Sequence, residues 1–472
     1  MKEKFKLPEQ AIRLWFWLFA ALCLIAAVLM PDHGQMVEGM LRLCTLPYQS
    51  ANSYFDASGG GFAGTFLNAA VICAICAAIY SLPGSKPDGV SVLAFFLTAG
   101  FCFWGTTALN IWFPFAAVLV YCLVKRTNPG KKGNLFLFST GLTPLITELL
   151  FRWPGEEWHG FTVLGCAMAF AASLVIAFLL APGLEHSPKM HKSYDLYSAA
   201  VPMGFIAFLL RAVLFKVLGG TLPDNVGVGL EDSFWTISNV FCFVVFGLAI
   251  VLGLLLGGSF RSYWNLMKDS GYGVDYGAKY GAGTAILNLG IYGLFIVLYY
   301  NLIGANWNAA TLGCVFCMVC CCFKGSHPRN VWPIMLGYVA ASFAAKGLCA
   351  LLGTEFTFAI NAQAIVIGLC FANGLSPIAG RYGWGAGFIA AMGHFALVTS
   401  VPLLHGAFLL YNGGFTAAIV CFLFVPLLEE FFRTKEERCA VKTERGNTDE
   451  TNPRTGALAG AAGCAVFCLR SV

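Results

Sequence analysis

Long apolar runs separated by short polar connections dominate the chain. They fall near 11–30, 61–82, 90–104, 111–125, 134–151, 158–182 and 197–218, and again near 233–258, 281–302, 308–323, 331–352, 358–379, 383–404 and 407–431. Most approach the roughly 20 residues that an α-helix needs to cross a bilayer. In lipid the backbone must satisfy its own hydrogen bonds, so such runs are read as helices. The pattern predicts an all-α integral membrane protein of about 14 segments in two sets of about seven. Residues 1–218 form the first set and 219–432 the second, with 433–472 as a disordered cytoplasmic tail. The run at 11–30 has no small-residue cleavage pattern after it and is read as a retained span.

Composition excludes a soluble domain. Hydrophobic residues make up 58% of the chain and charged residues only 11%, against about 25% charged in soluble proteins. Mean hydropathy is +0.73. The net charge of +5 is small and scattered, which argues against nucleic acid as a partner. Most of the 19 cysteines lie inside apolar runs, as in VFCMVCCCF at 315–323, and are read as small buried hydrophobes. No second pair accompanies the C-x-x-C at 317–320, so neither a metal site nor a cofactor is expected. There is no G-x-x-x-x-G-K-[ST] loop for nucleotide binding.

Loop charges give an orientation, because Lys and Arg collect on the cytoplasmic side. With the basic N-terminus inside, the groups Lys125/Arg126/Lys131/Lys132, Lys189/Lys192 and Arg261/Lys268/Lys279 also fall inside, as does RTKEER at 433–438. Glu156/Glu157 and Asp224/Glu231/Asp232 then fall outside, and both termini are cytoplasmic.

Laid against itself, the chain aligns 61–112 with 281–332 without a gap. Gly61, Asn68, Tyr80, Cys102, Gly105, Asn110 and Trp112 meet Gly281, Asn288, Tyr300, Cys322, Gly325, Asn330 and Trp332. Downstream, GLTPL at 141–145 matches GLSPI at 374–378, and LYSAAVPMGF at 196 matches LYNGGFTAAI at 410. Three matches in one order indicate a duplication. With an odd number of spans per unit the second copy is inverted, an arrangement common in secondary transporters.

The blocks GTFLNAA, GFCFWGTTALNIWFP, KGSHPRNVWPIMLG, NGLSPIAGRYG and LLHGAFLLYNGGF resemble those of the bacterial multi-pass membrane family of unknown function DUF1576, over about 35–431. Trp104 departs from the Lys expected there. The resemblance implies a bacterial plasma-membrane protein and brings no activity with it.

The short runs at 90–104 and 111–125, like 308–323 and 331–352, are either tilted spans or re-entrant hairpins with tips at Gly105–Asn110 and Gly325–Asn330. Asn110 and Asn330 are read as N-caps whose helix starts favour an anion or carbonyl group. Asn68 and Asn288, inside spans, either tie helices together or line a polar path. Pro144 and Pro377 break helices and free carbonyls. Glu148 and Arg381, four residues beyond each proline, make a candidate gating ion pair. His394 is either a structural histidine or a proton-coupling group. Tyr411 and Asn412 are pathway candidates together with His405. Arg211, Lys216 and Lys346 are read as snorkelling to an interface.

These readings favour a secondary transporter over an enzyme. The expected cargo is a small polar or anionic solute, with proton or ion coupling and membrane lipids as the other partners. The alternatives are a passive channel, or a membrane enzyme acting on a lipid-linked substrate. Oligomeric state is left open.

Overall fold

The computed structural model describes residues 8–46, 54–223 and 234–440. The acidic group Asp224/Glu231/Asp232 lies outside the described residues. The described part is helical throughout, without strands. Among the described residues, ten helices are long and apolar enough to cross a membrane, and four shorter apolar helices accompany them.

The first half begins with α1 (Pro8–Leu29), a short amphipathic α2 (Met36–Cys44) and α3 (Gly61–Ser81). The connection between the apolar runs at 11–30 and 61–82 therefore contains a helix. Next come α4 (Gly89–Phe101) and α5 (Trp112–Val124), then α6 (Gly133–Phe138) and α7 (Thr143–Phe151), which are joined by a tight 3-10 turn at Ser139–Leu142. The half closes with α8 (Val163–Met190) and α9 (Ala200–Ala212).

The second half follows the same plan. It runs α10 (Trp235–Leu255), two short helices α11 (Phe260–Leu266) and α12 (Tyr276–Tyr280), and α13 (Ala282–Leu302). Then come α14 (Ala309–Val319) and α15 (Pro328–Leu352), followed by α16 (Gln363–Ala372) and α17 (Ser376–Tyr382), joined by the 3-10 turn Asn373–Leu375. Last are α18 (Trp384–Val398), α19 (Pro402–His405) and α20 (Asn412–Phe431).

α1 lies along α3, and α10 lies along α13. The centre is built on α4 against α14. A side chain at Gly89, the start of α4, would meet Asp275 at the start of α12 and Lys324 just past the end of α14. One at Gly100, near the end of α4, would meet Cys317 Sγ at 2.5 Å and Gly313 O at 2.6 Å, on the α14 helix itself. The two helices therefore run antiparallel, at a separation that only small residues permit.

The two broken helices are the most enclosed of the ten long ones. Of their most apolar stretches, 94% of residues 129–151 and 83% of 363–382 are buried, against 33–67% for the other eight long helices. Pro144 and Pro377 each stand in the first turn of the restarted helix. A proline there lacks an N–H that would have no partner anyway, so the chain can restart a helix but cannot run through.

The expected disordered tail needs a correction at its start. Residues 435–440 are helical. Lys435 Nζ donates to Ala379 O at 3.4 Å and Arg438 to Tyr382 O at 2.7 Å, so this segment covers the last carbonyls of α17. A cationic side chain at a helix C-terminus is favoured by the partial negative charge there. The rest of the tail lies outside the described residues.

Candidate functional site

Each hairpin reverses through a buried polar knot. In the first, Asn68 of α3 donates to Cys102 O and Thr106 O, both at 3.0 Å. In the second, Asn288 of α13 donates to the equivalent carbonyls, Cys322 O at 2.7 Å and Ser326 O at 3.0 Å. Asn110 Nδ2 donates to Gly105 O at 3.0 Å, and Asn330 Nδ2 donates to Gly325 O at 2.7 Å. Gly105 and Gly325 have φ of 117° and 144°, a region that side chains avoid.

Neither asparagine is an N-cap, which corrects the expectation. α15 is capped by His327, and Asn330 sits in the first turn, its Oδ1 accepting from His327 N at 3.0 Å. Asn110 lies just before α5 and likewise accepts from Thr107 N at 2.9 Å. Both amides are spent on holding the reversal. The tip hydroxyls reach the broken helices: Thr106 meets Thr143 at 3.0 Å, and Ser326 meets Ser376 at 3.1 Å.

One difference has a simple chemical cause. Asn68 Oδ1 accepts from Ala108 N at 2.9 Å. The position matching Ala108 is Pro328, which has no N–H, and Asn288 Oδ1 is buried without a hydrogen-bond partner.

The chain is also unwound at 191–199 and 406–411. His191 Nε2 meets Ser198 Oγ at 2.9 Å, and His405 Nε2 meets Asn412 Oδ1 at 3.0 Å. Lys192 and Ser193 have φ of 50° and 60°, Gly406 and Ala407 66° and 60°. Leu196 N, in the first half, donates to Gly374 O at the second half's helix break, at 3.1 Å. Leu410 N, in the second half, donates to Gly141 O at the first half's break, at 3.0 Å. Each half thus completes the backbone hydrogen bonding of the other's broken helix. Irregular backbone in a membrane protein has to be satisfied in some such way.

The side chains at the two crossings differ. Tyr197 Oη lies 2.7 Å from Cys317 O, 3.1 Å from Cys370 O and 2.7 Å from Asn373 Oδ1. Asn373 Nδ2 donates to Tyr292 Oη at 3.0 Å and Met318 O at 2.7 Å. At the other crossing Tyr411 packs on Phe101 and Phe138. Thr140 stands in the place of Asn373, Ile72 in that of Tyr292 and Leu409 in that of Asp195. Asp195 itself is buried, with Oδ1 accepting from Tyr197 N at 2.9 Å and Oδ2 without a partner.

The structure brings the hairpin tips, both prolines, Tyr411 and Asn412 onto this framework and leaves the charged pair apart. Glu148 forms a buried ion pair with Arg152, one turn along α7. Arg381 donates to Tyr194 Oη at 2.8 Å, stacks on Tyr272 at 4.3 Å and lies 3.7 Å from Glu436. Glu148 and Arg381 are therefore not joined, since each is drawn to a nearer opposite charge. His394 accepts from Tyr338 Oη on Nδ1 and donates from Nε2 to Gly413 O at 2.8 Å, which suits a neutral ring tying α15 to α20 through α18.

Sequence reasoning passed over Asp195, Tyr197, Asn373, Tyr292 and Arg152. Tyr197 carried a usable signal, since it aligns with Tyr411. Asp195 stands just ahead of that matched block, where the other copy is apolar.

The family model described as "Protein of unknown function (DUF1576)" matches residues 32–216 and 256–430. No curated protein and no solved structure matches the chain.

Proposed function

We propose, on the premise that the chain belongs to the DUF1576 family of proteins of unknown function, that it is a secondary transporter of a small polar or anionic solute. It would work by alternating access between two inverted halves of about seven segments each. Both termini face the cytoplasm of a bacterial plasma membrane in this reading, as the basic loops indicate.

The observation that carries the proposal is the reciprocal pairing of crossings and breaks. Leu196 binds the break at Gly374 and Leu410 binds the break at Gly141. Two such equivalent contacts can open one at a time, which is what alternating access requires. Further support comes from Cys317 Sγ and Leu97 O, which lie 3.7 Å apart and occupy equivalent positions of the two copies. Equivalent positions touch each other only at an axis relating the copies. The hairpin tips, with Asn68, Gly105, Asn110, Asn288, Gly325 and Asn330, hold the hinges. The solute contacts the unwound segments near Pro144, Pro377, Tyr411 and Asn412.

The test is solute flux in proteoliposomes, after a thermal-stability screen at two pH values has chosen the solute. The panel holds carboxylates, amino acids, nucleobases, sugars and inorganic anions. A ligand at about 100 times its Kd adds about 2.7 kcal/mol. Uptake that saturates and is accelerated by solute on the opposite side supports a carrier. Flux that rises linearly without such acceleration marks a channel and overturns the proposal.

A further inference from the structure

Among the described residues, the buried Asp, Glu, Lys and Arg residues are Glu148, Arg152 and Asp195, while the side chain of Asp269, also buried, is paired with Lys279. The first two pair with each other. Asp195 has no cation within ion-pair distance among the described residues, and it sits in the unwound stretch between α8 and α9, one residue before the Leu196 contact to Gly374.

The groups around it give no compensating charge. On its own segment, His191 Nδ1 accepts from Asp195 N at 3.2 Å, so that nitrogen carries no proton and the ring is neutral. Tyr197 contributes its backbone N–H. From α20 the buried thiol of Cys421 lies beside it. Arg381 of α17 donates to the neighbouring Tyr194, stacks on Tyr272 and is shared with Glu436. Lys192 is exposed and paired with Glu429 of α20. The break of the second half faces Asp195 with Gly374, whose missing side chain would meet Asp195 Oδ1 at 2.7 Å.

A buried carboxylate with one oxygen unpartnered and no cation is costly as an anion and takes up a proton instead. Burial pushes this carboxyl up to about 7, only partly opposed by the Tyr197 amide.

We propose that Asp195 is a proton-binding site, occupied while the 191–199 crossing is closed on the Gly374 break and emptied when that crossing opens. The carboxylic acid then gives up H+ to water on the face carrying Lys192 and Arg381, and the carboxylate retakes one H+ on closing. This makes the proton the coupling ion. The coupling half of the proposal rests on the transporter reading, whereas the proton site does not.

The experiment is infrared difference spectroscopy of the purified full-length protein between acidic and alkaline pH, with and without 13C-carboxyl aspartate. The other buried aspartate side chain among the described residues, Asp269, is held ionised by Lys279, so a protonated-carboxyl C=O band that persists toward neutrality and shifts with the label reports on Asp195. The band should vanish with a midpoint near neutrality and be missing in Asp195→Asn. Its absence at acidic pH in the labelled wild type overturns the proton site, whether or not Asp195→Asn folds. Loss of the band together with stabilisation by sodium would assign a metal-cation site instead, and also overturns it.

Coupling is read separately in proteoliposomes. Wild-type uptake of the selected solute should rise several-fold under an imposed pH gradient, and Asp195→Asn should not respond. An equal response of both proteins overturns coupling while the band stands. No solute flux by either protein, with the band present, overturns the transporter reading and with it the coupling role.

Discussion

Tyr197 and Tyr411 occupy matching places at two crossings with the same backbone, yet their surroundings differ in chemistry. Tyr197 is held by two carbonyls and Asn373, with Tyr292 and Asp195 close by in the same region. Tyr411 is held by aromatic rings. The shared part is what backbone geometry demands, namely a glycine at the break, left-handed residues in the turn and one inter-half hydrogen bond. The polar groups are free to diverge, and they have gathered on one side. A transporter that takes up a proton in only one of its conformations needs such an asymmetry.

The largest effects test the shared part. A methyl group at Gly374 would meet Tyr197 Cδ2 at 2.6 Å, and one at Gly141 would run into the Tyr411 ring. Gly374→Ala and Gly141→Ala should each cost about 1–3 kcal/mol, the usual range for overpacking, as a lowered unfolding temperature in detergent. A loss at only one site would break the equivalence of the crossings.

Next comes the polar contrast. Asn373→Leu removes one of three partners of the Tyr197 hydroxyl and the amide that donates to the Tyr292 hydroxyl and Met318 O, and should cost about 1–3 kcal/mol, as expected for buried groups left unsatisfied. Thr140→Val removes the hydroxyl that donates to Leu137 O at 2.7 Å and faces the Tyr411 hydroxyl, and should cost about 1 kcal/mol or less. Similar losses would mean that the two sides are equally polar in effect.

Asp195 adds a pH signature. Its carboxyl has an ordinary value of 3.8 and a folded one of about 7, so the folded protein binds the proton more tightly. Its stability contribution is complete below 3.8 and is lost as pH rises through 7. Asp195→Asn should flatten this decline, measured as unfolding temperature against pH. An unchanged slope would remove Asp195 from the account.

The smallest effect concerns the hairpin tips. Asn68 keeps three hydrogen bonds and Asn288 two, so Asn68→Ala should be the costlier change by about 1 kcal/mol. Pro328→Ala restores the N–H that Asn288 Oδ1 lacks. It should be more favourable with Asn288 present than in Asn288→Leu by about 1 kcal/mol, read from a double-mutant cycle.

Much of this was legible in the order of residues. The apolar runs mark most of the helices to within a few positions, because a bilayer demands long continuous apolar stretches, although α8 runs on to Met190 past the expected end at 182 and the runs at 134–151 and 358–379 are each broken in two. Matched Asn68/Asn288, Gly105/Gly325 and Pro144/Pro377 announce the knots and breaks, since a chain reversal or helix restart restricts which residues it accepts. Partners were not legible. Glu148 and Arg381 hold matched places in opposite halves, while Arg152 stands one helical turn from Glu148, and only packing decided that the near charge takes it. The same holds for Asp195. Its letter shows a carboxyl group beside a span, while its burial, its unpartnered oxygen and its place against Gly374 arise from contacts between segments of opposite halves. Periodicity records what each segment must bury, but which polar groups end up facing one another depends on how the segments pack.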